Sequence, residues 1–472
     1  MMLAASALAL AIVVQDPVAL RAAPRESAAQ QARLWQGDSL EIRGEKGDFL
    51  QVWDHRRERG GYVRASQVRS LSMNAAGAAQ MLAVMEFLRD TPGQEALGIG
   101  YAAAFLKAAS PEQIGPEAFD ALGSMAARLA RRASQPRGNV GDTLTAEQLE
   151  VAAAYGVGMQ SFERDGRMQL CYDGEAFRRV MALPQSTPLL KARAALALTR
   201  HDCVSPDLSL TQRAELDAWR IDLLSRVDTS QLPGHMKNRI FMRRAGILAS
   251  LAWQAQRRGP EGEKRAREAA GLAVESLAAV NKNALGEDDA MAYSEAATRA
   301  GVSRWFAADA QRVQSTLSVR THPGQPGETC VQLVEAKQKS PLFERCTWGI
   351  VHPASAVANA DHGALALAVQ TLDTWRELWL FRKGEAGWYL EVIPPSASGP
   401  DIGYLDFAGW VPGGKQLLTV REARVEGRYQ RRFELMNLDS LQVERWADKP
   451  ESLTPFYRWQ DPVWKRLTLS LR

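Results

Sequence analysis

Apolar and polar positions change period twice along this chain. Between residues 15 and 71, Leu34, Leu40, Ile42, Phe49, Leu50 and Val52 fall in short alternating runs. Gly37-Asp38, Gly44, Gly47-Asp48 and Gly60-Gly61 interrupt them as turn signals. Short strands joined by polar turns predict a small β-barrel over 15–71. From residue 74 to 319 the spacing becomes helical, as in Met81, Val84, Met85 and Leu88, or Leu122, Met125, Ala126 and Leu129. Arg128, Arg131 and Arg132 extend from that same turn and read as a solvated helix end. Helix starts are signalled at Ser110-Pro111-Glu112, at Ser209 ahead of Gln212, and at Glu287-Asp288-Asp289. Pro and Gly breaks divide the zone into about ten helices, and antiparallel helical hairpins are the natural way to stack them. After a Pro/Gly linker at 321–328 the period switches to two over 320–472, as in "RELWLFRK" and "KQLLTVREARV". Eight of the thirteen Trp lie in this last zone, which favours pleated, aromatic-rich layers.

The predicted fold class is therefore multidomain α+β. A small N-terminal β-barrel precedes a central all-α helical-hairpin array and a C-terminal antiparallel β domain, either a sandwich or a partial propeller. Length agrees, since 472 residues exceed what one core usually serves. A net charge of +4 suits a soluble protein near acidic polymers and is too small to indicate nucleic acid. The apolar run over residues 1–14 is too short to span a bilayer, which takes ~20 apolar residues. It reads as a secretory leader cut after Ala9 or Ala11. No Lys or Arg precedes Arg21, which leaves open a start upstream or a buried strand. Export gives the four cysteines a role as disulfides. Three pairings exist, and the sequence-local one joins Cys171 to Cys203 and Cys330 to Cys346. Four reduced, buried cysteines are the alternative.

Leu20, Arg21 and Pro24, then Leu34, Gly37, Leu40-Glu41-Ile42, Phe49-Leu50-Gln51-Val52 and Gly61-Tyr62-Val63-x-Ala65-Ser66 resemble the bacterial Src homology 3-like domain. The match covers about a tenth of the chain. It implies a ligand-binding or anchoring module, often directed at cell-wall peptides. Trp35, Trp53 and Tyr62 are its candidate groove aromatics, with core and rim packing as their other reading. The charged loop Asp54 to Gly60 departs from the family's tight turn. Farther on, Trp410, Pro412, Gly414 and Lys415 resemble the turn that opens a blade in Tol-type periplasmic propellers. A closed propeller takes at least four blades of ~40–45 residues, slightly more than this zone holds.

Catalytic signatures are absent from the sequence. It has no G-x-S-x-G, no S-x-x-K, no H-E-x-x-H and no phosphate loop. Gly98-x-Gly100 and Gly156-x-Gly158 read as close helix packing within helical patterns. His201-Asp202-Cys203 is the one cluster of nucleophile and base types, and Cys203 is better used in a bridge. His352 and His362 read as solvated loop residues rather than half a metal site. The reading is a non-catalytic periplasmic scaffold or binding protein of a Gram-negative bacterium. It has no cofactor, metal or transmembrane segment, and its partner is peptidoglycan or an envelope protein. Two rivals remain: a barrel-targeted cell-wall hydrolase, and a cytoplasmic regulator without export.

Overall fold

The structure, a computed structural model, describes residues 9–135, 139–164, 166–308 and 315–469. The chain divides into two compact units, Met1–Leu208 and Ser209–Arg472. The helical zone expected as one block is shared between them.

The first unit opens with seven antiparallel strands: β1 (Leu10–Val13), β2 (Val18–Arg21), β3 (Gln30–Leu34), β4 (Ser39–Lys46), β5 (Phe49–Asp54), β6 (Arg59–Arg64) and β7 (Val68–Leu71). They pair in the order β3-β2-β6-β5-β4-β1-β7. Among the described residues this ladder is open, with β3 and β7 at its ends, and not the closed barrel expected. Its core is the inward row Leu20, Leu34, Leu40, Leu50, Val52 and Val63, together with Ala11 and Val13. Leu10–Val13 was expected within an apolar leader ending at residue 14. It is instead paired on both sides, with Ala11, Ile12 and Val13 fully buried. Cleavage after Ala9 leaves this strand whole, whereas cleavage after Ala11 removes half of it. Residues 1–8 of that expectation lie outside the described residues.

Two of the glycine signals are not turns. Gly44 lies within β4 at a register shift, and Gly60-Gly61 lies within β6. A Cβ at Gly61 would sit 2.7 Å from Leu20 Cδ1, and one at Gly60 would sit 3.1 Å from the Trp53 ring. Both positions need a bare backbone because a side chain presses on them.

Helices α1 (Ala75–Arg89), α2 (Glu95–Ala108), α3 (Pro116–Ala133), α4 (Asn139–Ala154), α5 (Glu175–Ala182) and α6 (Pro188–Leu198) complete the unit. A hairpin of β8 (Met159–Arg164) and β9 (Arg167–Tyr172) interrupts them, where the sequence promised only helices. Gly98 and Gly100 are packing glycines of α2. A Cβ at Gly98 would strike Met125 of α3, and one at Gly100 would lie 2.5 Å from the Gly37 carbonyl oxygen. Gly156 and Gly158 instead fall between α4 and β8, where Gly156 has φ +79°. Arg128 and Arg132 are not a solvated helix end. Each lies 2.6 Å from the buried Glu95 carboxylate, and Arg128 Nη2 also donates to the carbonyls of Leu88 and Thr91. Removing a carboxylate from water costs free energy that such donors offset.

The second unit begins with α7 (Leu210–Ser225), α8 (Gly234–Gln256), α9 (Glu263–Ala278) and α10 (Glu287–Ser303). Ser209 and Gln212 form a reciprocal capping box at α7, and α10 starts at its acidic run, both as the sequence indicates. Strands β10 (Leu317–Pro323), β11 (Thr329–Glu335) and β12 (Phe343–Thr347) make a three-stranded sheet. The expected linker at 321–328 is thus the end of β10 and the turn into β11. The remaining strands are β13 (Ile350–Ala358), β14 (Ala364–Leu372), β15 (Trp375–Gly384), β16 (Gly387–Ile393), β17 (Gly403–Trp410), β18 (Gln416–Val425), β19 (Arg428–Asn437) and β20 (Val443–Ala447). They form one sheet in the order β13-β14-β15-β17-β18-β19-β20, with β16 branching from β15. The pairing is antiparallel except between β15 and β17, which run parallel over two residues. That pair departs from the all-antiparallel expectation.

Leu365, Leu367 and Val369 face the small sheet through Val331 and Leu333, while Ala364 and Ala366 face Leu378, Leu405 and Leu417 on the other side. Strand β14 is therefore apolar from Ala364 to Val369, as a stretch covered on both faces must be. Helices α11 (Thr454–Trp459) and α12 (Pro462–Leu469) cover β18 and β19 through Phe456 and Trp464. On the core side of β15, Arg376 lies 2.5 Å from Asp406 and donates to the backbone carbonyls of Gly301 and Val302 in α10. Arg304 also contacts Asp406, and the Tyr404 ring lies beneath both guanidinium groups. No helix among the described residues is long and apolar enough to cross a membrane.

Candidate functional site

Strand alternation sorts the three candidate aromatics of the N-terminal sheet. On β5, Leu50 and Val52 point inward, so Gln51 and Trp53 point outward. Trp53 is opposite Gly60 on β6, and Gln51 is opposite Tyr62. Trp53 and Tyr62 are therefore diagonal neighbours on the outer face. The indole can lie over β6 because residue 60 carries no side chain to lift it. The guanidinium of Arg43 lies 4.5 Å from the Trp53 ring centroid, and the Lys46 ammonium 6.0 Å from that of Tyr62. Arg21 lies opposite Tyr62 across β2 and β6.

Carboxylates steady these cations. Glu41 accepts from Arg43 at 3.2 Å and contacts His55 at 2.6 Å. Those bonds, Arg43 foremost, hold Glu41 below the usual carboxylate range. Glu26 bridges Arg21 and Arg64, and the Arg64 contact lowers its pKa most. The face therefore combines two half-buried aromatic rings with Arg21, Arg43, Lys46 and Arg64, against Glu26 and Glu41. It can stack a flat or sugar-like surface and attract negative groups beside it.

Trp35 does not belong to this face. It is 8% exposed and packs against Ala96 of α2 and Val151 of α4. Its amide donates to Asp38, and the neighbouring Gly37 carbonyl accepts from Tyr155, 2.7 Å away. Burial pushes the Tyr155 phenol up to about 12, so it remains a donor. The reading of Trp35 as a groove residue is corrected: the turn after β3 is sunk between helices, and its indole goes with it.

The charged loop after β5 is likewise fixed in place. Asp54, 1% exposed, accepts the amides of Arg56 and Arg57 and pairs with the Arg57 side chain at 2.8 Å. Arg57 lies 3.0 Å from Asp38, and Arg56 reaches both Asp38 and Glu150 of α4. These pairings were not apparent in "DHRRERG", although an Asp at an inward strand position was the available signal.

Against known protein families, curated proteins and solved structures, the chain finds no match.

The other chemistry-bearing residues have structural tasks. Cys203 is bonded to Cys171 of β9, so His201-Asp202-Cys203 presents no thiolate. Cys330 and Cys346 are opposite one another on β11 and β12 and are also bonded. Two groupings of metal-ligand type, His322-Cys330-Glu344 and Glu328-Cys330-Cys346, depend on these oxidised sulfurs and thus lack the thiolate that a metal needs. His352 is not a loop residue but a buried one on β13. Its ring meets Phe306 edge-on at 4.9 Å. Burial, reinforced by the Arg376 charge, pushes its pKa down to about 3. His362 is a turn residue, with φ +52°, in contact with Thr316.

Proposed function

We propose that this chain is a non-catalytic binding or scaffold protein of the bacterial envelope. In this reading the outer face of the N-terminal sheet, an open Src homology 3-like module, contacts peptidoglycan. The observation that carries the reading is the solvent-facing pair Trp53 and Tyr62 with Arg43 and Lys46 beside their rings. Glycan rings would stack on the aromatics while carboxylates of the peptide stems meet the cations. Two disulfides support an oxidising compartment such as the periplasm. The turn after β17, with Gly413 and Gly414 at positive φ, supports the Tol-like blade turn at Trp410–Lys415.

Co-sedimentation with purified sacculi tests the reading. The wild-type chain should pellet, less so as salt rises, because exposed charges are screened. The double variant Trp53→Ala/Tyr62→Ala should bind about tenfold or more weakly, since aromatic anchors dominate such contacts. Undiminished pelleting of that variant rejects this face as the contact. A clearing band on a peptidoglycan zymogram rejects the non-catalytic assignment.

A further inference from the structure

A second site, independent of the N-terminal face, lies where α11 and α12 cover β19. A cleft of about 380 Å³ opens there, within the ~300–1,000 Å³ typical of small-molecule sites. Phe433 and Trp464 line it, their rings edge to face with centroids 6.5 Å apart. Tyr457, 77% exposed, lies at its lip.

Polar groups gather at the same cleft. Arg431 and Lys465 bring positive charge, and Glu451 brings one negative charge. The Arg431 guanidinium lies 4.7 Å from the Phe433 ring centroid and 3.7 Å from the Glu422 carboxylate. Trp464 and Thr468 also line the cleft, four residues apart and hence on one stripe of α12. The indole nitrogen of Trp464 and the hydroxyl of Thr468 are buried and have no hydrogen-bond partner among the described residues. Trp464 itself is only 2% exposed. Leaving a buried donor without an acceptor is unfavourable. The indole nitrogens of Trp253, Trp305, Trp379 and Trp410 are also unpartnered among the described residues, and of the five Trp464 is the one that lines this cleft. An indole N–H can only donate, which defines what is missing: an acceptor.

We propose that this cleft binds a small amphipathic carboxylate. Its apolar body lies against Phe433 and Trp464. Its carboxylate faces Arg431 and Lys465 and accepts from the Trp464 indole and the Thr468 hydroxyl. A neutral alcohol of the same shape would keep the apolar contact and lose the charge-assisted bonds.

Calorimetric titration of the full chain with 4-phenylbutyrate and with 4-phenylbutan-1-ol tests this. The acid should bind saturably at one site, and the alcohol about tenfold or more weakly. Lys465→Gln and Thr468→Val should each weaken the acid by about three- to tenfold, with thermal melting unchanged. The proposal is overturned by equal affinities for acid and alcohol. It is also overturned by no saturable heat up to ~10 mM acid, or by wild-type affinity in both variants.

Discussion

His352 sits inside the second unit with its ring against Phe306 and the Arg376 charge nearby, and burial holds its pKa at about 3. In the unfolded chain an imidazole titrates near ~6.5. Between those two values the unfolded state binds a proton that the folded state refuses, so stability falls as pH falls, by up to ~1.4 kcal/mol per pH unit. Urea denaturation at about pH 7 and about pH 5 should therefore show His352→Phe losing about 1–2 kcal/mol less than wild type over that interval. Equal losses would mean that His352 titrates freely. Asp406 gives a stronger test. It pairs with Arg376 and Arg304, both nearly inaccessible, so Asp406→Ala leaves two buried cations without their carboxylate. A loss of about 3–5 kcal/mol is expected by denaturant titration, and a loss under 1 kcal/mol would show that water reaches the site. The cysteine pairing was legible in the sequence, because joining neighbours along the chain keeps each bridge inside one predicted domain. His352 was not, since an isolated histidine carries no sign of the layers that will close over it.

Among the elements, β6 shows how a correct signal can be assigned to the wrong cause. Gly60-Gly61 reads as a turn, yet it lies in mid-strand because Trp53 and Leu20 occupy the space where its side chains would stand. Gly61→Ala should therefore destabilise by about 1–3 kcal/mol through overpacking against Leu20, measured as a fall in melting temperature. An unchanged melting temperature would mean that Leu20 has room to move aside. The starts of α7 and α10 were legible because a capping hydroxyl, in α7, and acidic residues in the first turn, in α10, act within one turn of their own position. The hairpin β8–β9 was not, lying between helices α4 and α5 whose apolar spacing masks a short alternation. Trp35 followed the same rule: nothing local announces that α2 and α4 will cover the turn it stands on. Of the candidate face, Trp53 and Tyr62 were found by residue type, but the cations beside their rings emerge only from strand register.

At the scale of the whole molecule, each compact unit contains one disulfide, Cys171–Cys203 in the first and Cys330–Cys346 in the second. Their sequence separations of 32 and 16 residues give about 3–4 kcal/mol apiece in the chain-entropy model. Fragments 1–208 and 209–472 should each lose stability on reduction, as followed by urea titration with and without dithiothreitol. Reduction that weakens only one fragment would show that the other bridge constrains little. The boundary near residue 208 was hidden in the sequence because helices lie on both sides of it, so the period of the pattern is the same before and after. What changes there is which surfaces the helices bury, and that depends on partners distant along the chain. The bridges also leave the oxidised protein without a reactive sulfur, since all four cysteines are consumed. A single cysteine introduced at Gln51, exposed between Trp53 and Tyr62, would be its sole thiol. A photo-crosslinker attached there would covalently tag whatever rests on that face, without competing labels elsewhere.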